Sequence, residues 1–108
     1  MSSLREKKRY IVYEVKAEPR LNFKEVKQEL EKKMLQFLGE LGYGKAGVVI
    51  LNEWQSNKGM IRTNTKSVEN VKTALALVEN INDKKVLVRT IGISGMLNKA
   101  KNKFFKGG

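Results

Sequence analysis

Between Arg9 and Ser94 the apolar residues switch from a repeat of two to a repeat of three or four and back again, twice, and few folds accept that order. From Arg9 to Lys16, Ile11, Tyr13 and Val15 alternate with Tyr10, Val12 and Glu14, as a strand requires. Pro19, which cannot donate to a sheet ladder, is placed to close it. A helix start follows: Asn22 can cap the amide of Glu25, Glu25 can reach back to Asn22, and Leu21 can staple onto Val26. Val26, Leu30, Met34, Phe37, Leu38 and Leu41 then recur at helical spacing, and Gly42 is placed to terminate the run. Residues 46–54 are β-branched and aliphatic, residues 55–59 form a turn in which Asn57 or Gly59 takes positive φ, and residues 60–65 return as the hairpin partner. Ser67 stands where a second helix, carrying Val68, Val71, Leu75 and Val78, needs its cap. Residues 85–94 read as a fourth strand, and Gly95 hands over to a lysine-rich helix.

The order β-α-β-β-α-β with an appended helix predicts an α+β sandwich of the ferredoxin-like, RRM-like kind. Residues 1–108 suffice for one domain around one core, with 1–8 as a flexible basic arm and 95–106 as the basic helix.

Charge narrows the choice of partner. The chain holds 22 Lys and Arg against 11 Asp and Glu, a formal charge of +11. One cationic cluster, Arg5, Lys7, Lys8 and Arg9, opens the chain, and a second, Lys99, Lys101, Lys103 and Lys106, lies in a closing stretch without a single acid. With no apolar run long enough to span a bilayer, the expected partner is a nucleic acid and the expected setting soluble and cytoplasmic. The chain has neither Cys nor His, so it lacks a thiolate, an imidazole base and the usual zinc ligands. Its carboxylates form no D-x-D pattern, so the chain itself is expected to be non-catalytic and to bind no metal or cofactor.

Nucleic-acid recognition should not run through base stacking. Residues 58–65, KGMIRTNT, open with the Lys-Gly of a stacking RRM motif and carry none of its aromatics. Arg62 in that strand, like Arg89 in the last one, either meets RNA or pairs locally. The open sheet face presents a different problem. Tyr10 and Val12 lie opposite the helix-packed phase of the first strand, and Val86 and Val88 are read as their counterparts in the last. An apolar outer face needs a cover; the expectation is that the terminal helix and a protein partner share it. Trp54, beside the hairpin, reads equally as core or as an interface anchor.

Four stretches in order carry a family resemblance: residues 4–11 (LREKKRYI), 38–42 (LGELG), 59–62 (GMIR), and 86–95 (VLVRTIGISG) leading into the lysine-rich helix that ends at Lys103 and Phe104. Together they resemble the protein component 2 family of archaeal ribonuclease P, small basic subunits with eukaryotic relatives in ribonucleases P and MRP. The resemblance implies an RRM-like sandwich in an endonuclease that hydrolyses the bond joining the 5′ leader to precursor tRNA. It implies that RNA and bound magnesium carry the reaction. This chain would bind and hold ribonuclease P RNA beside protein component 3 and the other protein subunits, with a homodimer inside a heterotetramer left open. The matching stretches and their flanks supply the candidate RNA contacts Arg5, Lys7, Lys8, Arg9, Arg62, Lys99, Lys101, Lys103 and Lys106. The candidate protein interface is Tyr10, Val12, Trp54, Val86 and Val88. A free-standing RRM-like or ribosome-associated RNA-binding module is the alternative, and a ligand-binding metabolic regulator conflicts with the cationic ends.

Overall fold

The computed structural model describes residues 7–18 and 21–105; Pro19, Arg5 and Lys106 lie outside them. Strand β1 (Lys8–Ala17) leads to helix α1 (Phe23–Ala46), the hairpin β2 (Val49–Gln55) and β3 (Lys58–Asn64), and, after a 3₁₀ turn at Thr65–Ser67, helix α2 (Val68–Ala76). A two-residue strand β4 (Asn80–Ile81), strand β5 (Lys84–Ser94) and helix α3 (Leu97–Phe104) complete the order. The strands lie as β2-β3-β1-β5-β4, every pairing antiparallel. Without the extra β4 this is the ferredoxin-like arrangement expected from the sequence.

The core sits between one sheet face and the two long helices. Ile11, Tyr13 and Val15 of β1 are buried with Val26, Leu30 and Met34 of α1, Ile61 of β3, and Val71 and Leu75 of α2. Burial of each such side chain contributes about 1.5–3 kcal/mol, more than any single cap. The capping box of α1 is formed as the residues require: the Asn22 side chain accepts from the Glu25 amide at 2.9 Å, and Glu25 accepts from the Asn22 amide at 3.0 Å. The Asn22 amide and the Asn82 side chain together hold the Glu25 carboxyl below its ordinary range. Asn22→Ala should therefore cost about 1 kcal/mol in thermal denaturation at neutral pH. Because the Glu25 pKa is lower folded than unfolded, its contribution is present at neutral pH and lost as pH falls through the folded value. The Glu25 carboxylate bonds the backbone amide of residue 22, which Asn22→Ala keeps, so the variant should lose stability on acidification as the original does; a variant without that loss would contradict the box.

Two sequence expectations are corrected. Gly42 does not end α1. The helix kinks at Gly39 (φ 76°, ψ 167°), a conformation only glycine adopts readily, and continues to a left-handed cap at Gly47. Leu35 and Phe37 before the kink and Leu41 after it stand exposed, Leu41 at 71%. Ser67 makes no capping bond; the Asn64 side chain accepts from the Ser67 amide instead, one turn earlier, because the chain enters α2 through the 3₁₀ turn. In the hairpin, positive φ falls on Asn57, one of the two residues expected to take it, and also on Ser56. Gly59 has a packing role: a β-carbon there would overlap the Tyr13 phenol.

The outer face is filled from within. Helix α3 lies over it, burying Ala100 and Phe105 against Val12 and Met60, with Tyr10, Leu51, Ile91, Leu97 and Phe104 packed around them. Gly92 leaves the room in which the Phe104 ring sits. Lys58 Nζ donates to the Phe104 carbonyl at 3.3 Å, and Lys101 pairs with Glu53 at 3.0 Å, pinning the far end of the helix.

Candidate nucleic-acid interface

The start of β1, the ends of α1 and β3, and the start of α3 meet at one end of the sandwich. Register brings Lys8 opposite Asn64, Arg9 opposite Thr63, and Tyr10 between Arg62 and Ser94. The Thr65 amide donates to the Lys7 carbonyl at 3.1 Å, joining β1 to the turn that holds Lys66. Thr63 Oγ1 donates to the Ala46 carbonyl at 2.7 Å, and Asn64 Nδ2 to the Lys45 carbonyl at 2.6 Å. These buried bonds tie the end of β3 to the last turn of α1. The Arg9 guanidinium lies 3.4 Å from where a β-carbon on Gly95 would stand, at the entry to α3.

The electrostatics of this end are one-sided. Lys7, Lys8, Arg9, Lys45, Arg62, Lys66 and Lys99 collect here, and residues 7–10, 43–49, 61–67 and 93–99 contain no Asp or Glu. Lys7, Lys45, Lys66 and Lys99 are exposed. Arg62 is half-buried, and its Nε is enclosed without a hydrogen-bond partner. Elsewhere the charges interleave: Arg89 bonds Glu14 at 2.9 Å and Lys72 lies 3.6 Å from Glu69.

Of the residues expected to meet RNA, Lys7, Lys8, Arg9, Arg62 and Lys99 are thus brought together. Lys101 and Lys103 are not: they lie a turn further along α3, Lys101 engaged by Glu53 and Lys103 above the Phe104 ring at 5.6 Å. Arg89 pairs locally with Glu14. Lys45 and Lys66 join the cluster unannounced. Each stands alone in its stretch of chain, and the one available signal was position, just inside the end of a helix and just past the end of a strand.

The expected protein interface needs correction. Val12 is fully buried beneath α3. Val86 and Val88 lie in the principal core, because the register sets them opposite Ala17 and Val15, on the helix-packed face. The error lies in the phase of β5. Val12 pairs with Gly92 and Tyr13 with Thr90, so Ile91 bulges and the two halves of the strand turn opposite sides outward. Tyr10 is half-buried against the α3 cluster. Trp54 is part of the structure's packing, its ring 5.7 Å from Phe23 and 6.3 Å from Tyr13, with one edge lining a shallow pocket beside Lys101 and Phe105. Among the described residues, no group of three or more acidic side chains is placed to hold a metal ion, and no helix is long and apolar enough to cross a membrane.

Topology and charge define a class: a ferredoxin-like sandwich that covers its own sheet with a C-terminal helix and gathers cations from several elements at one end. Comparison with known proteins sharpens this. A family model described as the Rpp14/Pop5 family matches residues 9–105, and the chain belongs to that family. Ribonuclease P protein component 2 of Pyrococcus furiosus is 36% identical over 103 residues, covering 94% of this chain and 86% of its own length. The protein of the same name from Thermococcus gammatolerans is 38% identical over the same shares, and that from Archaeoglobus fulgidus is 29% identical with 94% of its length covered. A chain of the cryo-EM structure of yeast ribonuclease MRP shares the fold, with a TM-score of 0.67 at 12% identity, covering 87% of this chain and 78% of that one.

Proposed function

We propose that this chain is a protein subunit of ribonuclease P, the ribonucleoprotein endonuclease that cleaves the 5′ leader from precursor tRNA. The observation that carries the reading is the family match from residue 9 to residue 105, with relatives named protein component 2 aligned over almost the whole chain. In this reading the chain does no bond-making. It has no His or Cys, and magnesium would belong with the RNA. Its part is to bind ribonuclease P RNA through phosphates and to keep it in an active shape, working in the cytoplasm beside protein component 3 and other protein subunits. Apolar surface for a protein neighbour remains at Leu35, Phe37 and Leu41, on either side of the α1 kink.

The alternative of a free-standing RNA-binding module predicted a sheet face that needs no partner. Because α3 covers that face, the face no longer separates the two readings, and the family match does. The test is 5′ cleavage of precursor tRNA by ribonuclease P RNA at moderate magnesium with component 3 present. Adding this chain should raise the rate at least tenfold, and omitting either protein should abolish the gain. RNA binding without any gain in cleavage would return the chain to the class of general RNA-binding modules.

A further inference from the structure

We infer that the RNA backbone lies across the cationic end built by Lys45, Lys66 and Lys99 together with Arg9 and Arg62, and not along the lysine face of α3. The assignment rests on the reading of the chain as a ribonuclease P subunit and adds to it the surface and the chemistry of contact. Three observations carry it. The cations arrive from five separate elements, so their convergence is a property of the fold and not of a charged tail. Residues 43–49, 61–67 and 93–99 contain no Asp or Glu, whereas elsewhere on the described surface Arg89, Lys101 and Lys72 pair with Glu14, Glu53 and Glu69. The backbone beneath is stiffened by the buried bonds of Thr63 and Asn64 to the last turn of α1, so the lysines project from a fixed frame.

The rest of α3 is spoken for. Its distal lysines face Glu53 and Phe104, and its apolar side is spent on Val12 and Met60. The ligand fitted by such an end is the phosphate backbone of folded RNA. Point-like ammonium groups around an end whose tyrosines, Tyr10 and Tyr43, are packed against the core clusters neutralise phosphates and read no bases.

The experiment compares two triple variants of equal charge by their binding to ribonuclease P RNA over a range of salt. Lys45→Gln, Lys66→Gln and Lys99→Gln remove three exposed lysines from the cationic end; Lys24→Gln, Lys85→Gln and Lys103→Gln remove three exposed lysines elsewhere. The first should weaken binding on the order of 100-fold and make the slope of log K against log salt shallower by about 2, since each lost phosphate contact removes about 0.7–0.9. The second should change affinity about threefold or less. Equal losses in both, a larger loss in the second, or no loss in either would overturn the assignment. Acetylation footprinting of the unmodified protein gives an independent reading: RNA should protect Lys45, Lys66 and Lys99 and leave Lys24 and Lys85 reactive. The subunit reading fails separately, when the unmodified chain adds nothing to precursor-tRNA cleavage, whatever the footprint shows.

Discussion

Gly59→Ala should lower the melting temperature by roughly 10 °C, a loss of about 2 kcal/mol. The direction is not obvious. Alanine in a strand interior is ordinarily favoured over glycine by about 0.5–1 kcal/mol, and Gly59 keeps a φ that any residue can adopt. Against this, a methyl group would intrude on the Oη and Cζ atoms of Tyr13, a fully buried side chain that cannot swing away. Overpacking of that kind costs about 1–3 kcal/mol or more, which outweighs the propensity gain. The same ring leaves its hydroxyl enclosed without a partner, and burial pushes the phenol well above its usual range. A double-mutant cycle with Tyr13→Leu should recover much of the loss. A Gly59→Ala protein as stable as the original would mean that the Tyr13 ring does not pack over this strand.

Gly92→Val should detach α3 while leaving the principal core folded. A β-carbon at Gly92 would enter the space of the Phe104 ring, and Phe104 is followed directly by the buried Phe105. Losing the burial of that pair removes about 3–5 kcal/mol of apolar stabilisation, more than the half-buried pair of Lys101 and Glu53 can hold. Trypsin should then cut rapidly after Lys99, Lys101 or Lys103, and a hydrophobic dye should bind the uncovered Val12 and Met60. Cooperative unfolding of the β1–α1–α2 core should persist. Unchanged resistance to trypsin would show that the helix can shift and repack over a bulkier strand.

The parts of this fold that were legible in the sequence are those written locally. The alternation at Ile11, Tyr13 and Val15 and the Asn22–Glu25 pair each need only neighbouring residues, and both are found as read. The end of α1 was not legible. The run LGELGYGKAG offers glycine at 39, 42, 44 and 47, and tertiary contacts decide which of them takes positive φ. The faces of β5 were missed for a related reason: a bulge at Ile91 inverts the strand's phase midway, so no single alternation describes it. The cationic end was half legible. Lys8, Arg9 and Lys99 sit in obvious basic runs, but Lys45 and Lys66 acquire meaning only when Asn64 fastens the two loops together.

The covering of the sheet by α3 also bears on how such a protein and its RNA can change over time. The central strands, where an RRM would distinguish one base from another, are occupied by the chain's own Ala100 and Phe105. The proposed grip, confined to phosphates, would place no demand on the identity of the letters beneath it. Compensating changes in the RNA stem would then be invisible to the protein as long as the backbone kept its path. The RNA would be free to drift in sequence, and one protein of this design could be lent to a second RNA of the same shape.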